Sequence, residues 1–111
     1  LQVNGRRDEL IITGGENVWP AQVEEVLRIH HDVADVAVTG LNDPEWGQRV
    51  VAWVVATPGA TPNIDALRGH VRSMLPAFMA PKEVRLVAAI PRTSLGKVAR
   101  QLLSSTTFTA S

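Results

Sequence analysis

From Arg49 to Ala56 the chain reads Arg-Val-Val-Ala-Trp-Val-Val-Ala, a dense β-branched run around Trp53 that suits a sheet far better than a helix. A strand of that kind needs neighbours, and the flanking sequence offers them. Val33 to Thr39 alternates apolar and polar residues, and the turn formers of Leu41-Asn-Asp-Pro-Glu-Trp-Gly47 separate it from the run. Two strands paired across a loop are therefore expected. Leu10 to Thr13 and Asn17 to Trp19 are β-prone segments on either side of Gly14-Gly15 and read as a hairpin with a glycine turn. Val84 to Ala88 supplies a third core strand after the hairpin. Trp19 and Trp53, both in β-like runs, are expected in the core.

Helical patterns fill the gaps. Pro20 suits the first turn of a helix, Val23, Val26, Leu27 and Ile29 recur at helical spacing, and Glu24 and Glu25 lie toward the N-terminal end, where the helix dipole favours carboxylates. This predicts a helix from Pro20 to His30. Ile64, Leu67, Val71, Met74 and Leu75 form a second stripe, with Thr61 or Asn63 as N-cap and Pro76 as terminator. Pro91 to Gly96 reads as a loop leading into a short third helix, Val98 to Leu103, before a Ser/Thr-rich tail that is expected to fray. The fold class is α+β: a small sheet with an N-terminal β-hairpin and about three helices packed on it.

Length and charge narrow the function. A chain of 111 residues, 45% hydrophobic and 20% charged, fits one small domain with a packed core. Eleven basic residues balance eleven acidic ones, so the broad positive field of a nucleic-acid binder is missing. No cysteine is present, which removes disulfide, thiolate and cysteine-zinc chemistry. No metal site is expected: His30 and His31 are adjacent, His70 lies in another segment, and solvated or capping roles fit them better. No apolar run is long enough to span a bilayer and no signal-peptide pattern opens the chain, which makes a cytoplasmic location the default. The opening at Leu1, without Met, reads as the end of a strand from a preceding domain.

The residues that could carry chemistry sit in loops. The chain holds nine arginines but only two lysines, Lys82 and Lys97, both beside loop-forming residues. A lysine there can deliver a compact charge to a phosphate or carboxylate, and Gly96 permits close approach of the backbone to a partner; a solvated surface lysine is the plainer reading of the pattern. Gly14-Gly15 could cradle an anion with backbone N–H groups or be only a turn, since the P-loop and dinucleotide fingerprints are incomplete. Trp46 could stack on a base or anchor its own loop. No Ser-His-Asp, Cys-His or paired-carboxylate arrangement stands out.

In this order, these loops resemble the C-terminal domain of the adenylate-forming superfamily, especially the acyl-CoA synthetases. Gly5-Arg-Arg-Asp-Glu-Leu-Ile-Ile-Thr-Gly-Gly-Glu-Asn-Val-Trp-Pro-Ala-Gln-Val-Glu-Glu-Val-Leu27 is similar to the family's hinge and hairpin. Asp43-Pro-Glu-Trp-Gly-Gln-Arg-Val50 is similar to its central loop, and Pro91-Arg-Thr-Ser-Leu-Gly-Lys-Val-Ala-Arg100 to its lysine motif. The resemblance covers residues 5–103, with 1–4 as the end of a preceding domain or linker and 104–111 as a tail. It implies the lid domain of an ATP-dependent acid–CoA ligase, which forms an acyl-adenylate and pyrophosphate and then an acyl-CoA and AMP. By the same resemblance, Lys97 would be the adenylation lysine, Arg6 would lie near the nucleotide ribose and Asp8 would be the hinge. Gly14 and Gly15 would line the pantetheine tunnel, and Trp46, Phe78 and Lys82 would contact the CoA nucleotide. Met79 and Ala80 stand where relatives often carry basic residues. The implied reactants are ATP with its magnesium, held mainly by a large N-terminal domain, together with CoA and a carboxylic acid. The rival reading is a freestanding, non-catalytic nucleotide- or protein-binding module of the same fold.

Overall fold

The computed structural model describes residues 9–96, 98–99 and 102–103. It contains five strands and two α-helices: β1 (Ile11–Thr13), β2 (Glu16–Val18), α1 (Pro20–Arg28), β3 (Val33–Asp43), β4 (Gly47–Ala56), α2 (Ile64–Arg72) and β5 (Glu83–Leu86), with a 3-10 turn at Ala77–Met79. β1 and β2 pair antiparallel across Gly14 and Gly15, whose φ angles of +57° and +84° give the doubly left-handed turn that matches strand twist. β3 and β4 pair antiparallel from Val33↔Ala56 to Asp43↔Gly47. On β4's other edge, β1 touches at Thr13↔Gly47 and β5 runs parallel from Val51↔Glu83 to Val54↔Leu86.

β4 explains the apolar run on which the sequence turns. Val50, Ala52 and Val54 join the helix-side core with Val23, Leu27, Leu67 and Val71, while Val51 and Trp53 face the opposite side, beneath Ile90 and Leu103. Covering both faces removes the usual alternation with polar residues. Trp53 is fully buried, and its indole Nε1–H donates to Thr39 Oγ1 at 2.8 Å, which avoids the ~1–3 kcal/mol cost of an orphaned donor.

Other expectations shift. Trp19 is half-buried at the N-cap of α1 rather than in the core. Glu24 lies beyond the first turn and is buried; its Oε2 accepts from Val38 N–H at 2.8 Å, so it serves the outer edge of β3 rather than the helix dipole. Asn63, not Thr61, caps α2, accepting from Ala66 N–H at 2.8 Å. Because α2 stops at Arg72, Met74 leaves the stripe and is exposed. The third helix does not begin at Val98 as expected: Val98 forms an antiparallel bridge with Arg92, and Ala99 N–H donates to Pro91 C=O at 2.9 Å. Those bonds draw the chain back along its own entry, leaving helical geometry only at Leu102 and Leu103 among the described residues.

Candidate functional site

The glycine turn and the 44–46 loop meet at the start of β4. Asp43 Oδ1 accepts from Glu45 N–H at 2.8 Å and Trp46 N–H at 3.0 Å, an Asx turn that fixes the loop, and Gly47 leaves it with φ +84°. Trp46 C=O then accepts from Gly14 N–H at 2.8 Å, while Gln48 Oε1 accepts from Ile12 N–H at 2.8 Å. The hairpin is thus stitched to β4 and the loop before it through β1 and the first turn glycine.

These bonds seat the Trp46 ring directly on Gly14. A Cβ at position 14 would lie 2.8 Å from Trp46 Cε3 and 3.1 Å from Cζ3, so glycine is required by contact as well as by φ. Nothing lies within 4 Å of where a Cβ at Gly15 would sit. Lys82 reaches the same ring, with Nζ 4.4 Å from its centroid, and Lys82 N–H donates to Val50 C=O at 2.8 Å, which holds its stem beside β4. Trp46 as a whole remains 41% exposed. A half-exposed indole with a flexible ammonium over it offers an aromatic base a stacking surface once the lysine swings off the ring, and the same cation then lies in reach of a phosphate.

Of the residues singled out in the sequence, Gly14, Gly15, Trp46 and Lys82 are therefore brought together. Phe78 instead packs, partly buried, against the helix-side core. Arg6, Asp8 and Lys97 lie outside the described residues. The loop before Lys97 is closed by Gly96 N–H donating to Thr93 C=O at 2.9 Å, with Gly96 at φ +82°. The sequence reading missed Asp43 and Gln48, whose side chains build the platform. The Asp43-Pro44 pair, a frequent turn opener, is the available signal for the first; Gln48 has none.

Two charged groupings lie elsewhere. Glu83 bonds the guanidinium groups of Arg49, at 2.9 Å, and Arg85; burial raises its carboxyl's pKa, but the hydrogen bonds from Arg85 and Arg49 prevail and hold it below the ordinary value. His30 stacks on His31 at 4.7 Å and meets the edge of His70 at 5.1 Å, so the structure joins histidines that the sequence keeps apart. His30, His31 and Asp32 place donor atoms within 4.8 Å of one another. His30 Nδ1, however, accepts from Asp32 N–H at 3.1 Å, which leaves the neutral ring's proton on Nε2 and makes the trio a poor ligand set.

Residues 22–97 match the family described as the AMP-binding enzyme C-terminal domain. The chain is 47% identical to the indoleacetate–CoA ligase of Aromatoleum aromaticum over 97% of its own length and 22% of that protein's. It is 47% identical to a probable 2-succinylbenzoate–CoA ligase of Mycobacterium tuberculosis, over 93% of this chain and 27% of that one. Among solved structures, o-succinylbenzoate CoA synthetase from Bacillus subtilis, in complex with its acyl-adenylate intermediate, superposes with TM-score 0.84 at 32% identity over 93% of this chain and 21% of that one. An amide bond synthetase from Marinactinospora thermotolerans gives TM-score 0.83 at 38% identity over 87% and 20%. The chain thus spans about a fifth to a quarter of the length of these relatives. The chain belongs to the AMP-binding enzyme C-terminal domain family.

Proposed function

We propose that this chain is the mobile lid of an acid–CoA ligase, offering different surfaces to the two halves of the reaction. The observation that carries this reading is the spacing along β4. The Gly14–Trp46–Lys82 platform sits at its Gly47 end, while the loop leading to Lys97 is tied to Asp35, the partner of Val55 near its far end. Eight steps of strand at ~3.3 Å separate Gly47 from Val55, or about 26 Å. Two surfaces that far apart on one small domain suit a lid that turns to present each of them in its own half of the reaction.

In the first orientation Lys97 would face the acid's carboxylate and the α-phosphate of ATP, stabilising the charge that develops as acyl-AMP forms and pyrophosphate leaves. Arg6 would lie near the ribose. In the second, reached by rotation at Asp8, the side-chain-free Gly14-Gly15 turn would border the pantetheine arm of CoA, whose thiol displaces AMP. Trp46 would stack on the CoA base, Lys82 would pair with a phosphate, and Phe78 would act from within the core wall rather than as a free stacking surface. ATP with its magnesium, and the acid, would be held mainly by the large N-terminal domain, the principal partner, so this chain alone should be catalytically silent. A cytoplasmic enzyme fits these reactants; among the described residues no helix is long and apolar enough to cross a membrane.

Replacing Trp46 in the full-length ligase tests the platform. Base–aromatic stacking contributes ~1–3 kcal/mol, so Trp46→Ala should raise the KM for CoA roughly 5- to 150-fold, with little effect on that for ATP. Lys82→Ala should shift it the same way by less. An unchanged CoA dependence in both variants would return Trp46 and Lys82 to a structural role and favour a binding module without this chemistry.

A further inference from the structure

We infer that Arg92, clamped by Asp35, is the positioning residue that holds the backbone on both sides of Lys97. β3 pairs irregularly at its start, from Val33↔Ala56 directly to Asp35↔Val55, and just after this step Asp35 Oδ1 accepts from Val36 N–H at 2.8 Å, which fixes the carboxylate's direction. Arg92 Nη2 donates to both carboxylate oxygens, at 2.9 and 2.7 Å. Its Nη1 faces Gly96 C=O at 3.4 Å, and its own backbone forms the antiparallel bridge with Val98. Gly96 and Val98 are the covalent neighbours of Lys97. A single arginine therefore grips one neighbour through its side chain and the other through its backbone, with Asp35 anchoring the assembly to the sheet.

The pair is partly exposed, and ion pairs of that kind contribute little to global stability. Its consequence is positional: a misplacement of ~1 Å at a reacting group can cost ~100-fold in rate.

This inference rests on the reading of Lys97 as the adenylation lysine, and the test separates the two. In the full-length ligase, Asp35→Asn, Arg92→Gln, Asp35→Glu and Lys97→Ala are compared in adenylate formation, in thioester formation from supplied acyl-AMP, and in Tm. Asp35→Asn and Arg92→Gln should each slow adenylation about 10- to 100-fold while leaving the second half-reaction and Tm unchanged, and Asp35→Glu should restore most of the rate. Normal adenylation in Asp35→Asn and Arg92→Gln, beside a selective loss in Lys97→Ala, would overturn the positioning role and leave the lysine reading intact. Equal losses in both half-reactions with a lowered Tm would reduce the pair to a structural one. A Lys97→Ala variant without selective loss would remove the premise and the inference together.

Discussion

Gly14 and Gly15 look alike in sequence and share a left-handed backbone, yet they answer to different constraints. Alanine at either position pays for positive φ, ~1–2 kcal/mol, but only at Gly14 does the added carbon meet Trp46 at 2.8 Å. Gly14→Ala should therefore lower stability by more than Gly15→Ala, and should alone displace the indole, seen as a change in tryptophan emission and a raised KM for CoA. Equal denaturation midpoints and identical emission in the two variants would contradict this. The turn itself was legible, because two glycines between β-prone runs have few other uses. The indole seated on it was not: no local pattern shows that a residue in the next loop but one will rest on the first glycine rather than the second. Phe78 shows the same limit: the sequence marks it only as an aromatic near Pro81-Lys82, while the structure sets it, partly buried, against the core of Leu67 and Val71.

At the scale of elements, the central strand, the hairpin and both main helices were legible because their periodicity or β-branching is strong. The parallel pairing of β5 was not, as register between distant strands leaves no mark on either sequence. The third helix does not start at Val98 because the Arg92↔Val98 bridge and the bond from Ala99 N–H to Pro91 C=O take up that stretch of backbone. The helix ends also created an unexpected junction. His70 Nε2–H donates to Val26 C=O at 2.7 Å, tying α2 to the last turn of α1, and brings its ring to His30. Burial, then the neighbouring charges of His31 and His70, push the pKa of His30 below its ordinary 6.5, although Asp32 pulls the other way. A histidine whose folded pKa is lowered takes up its proton more readily when unfolded, so stability should be fully present above 6.5 and fall as pH drops below it. The lowered carboxyl of Glu83 acts later: its contribution is present above 4.5 and is lost as pH falls through its folded value. Urea midpoints should therefore decline in two stages on acidification, with His70→Gln softening the first. A flat midpoint between about pH 7 and pH 5 would sink the histidine part.

The whole molecule is a sheet covered on both faces, with its two chemically suggestive surfaces at opposite ends of one strand. The central idea is that this separation lets one domain do two jobs by turning, with Lys97 at work in only one of them. Nothing in composition or spacing alone made that lysine more than a surface charge; the three motifs in register give it the role proposed here, and the Arg92↔Val98 bridge closes the loop that leads to it. The most direct test is Lys97→Ala in the full-length ligase, with the two half-reactions followed separately by pyrophosphate release and by thioester formation from supplied acyl-AMP. Pyrophosphate release should fall by at least about 100-fold, the scale of removing a group that stabilises developing charge, while thioester formation stays close to that of the unaltered enzyme. Equal loss in both half-reactions, or none in either, would contradict the account.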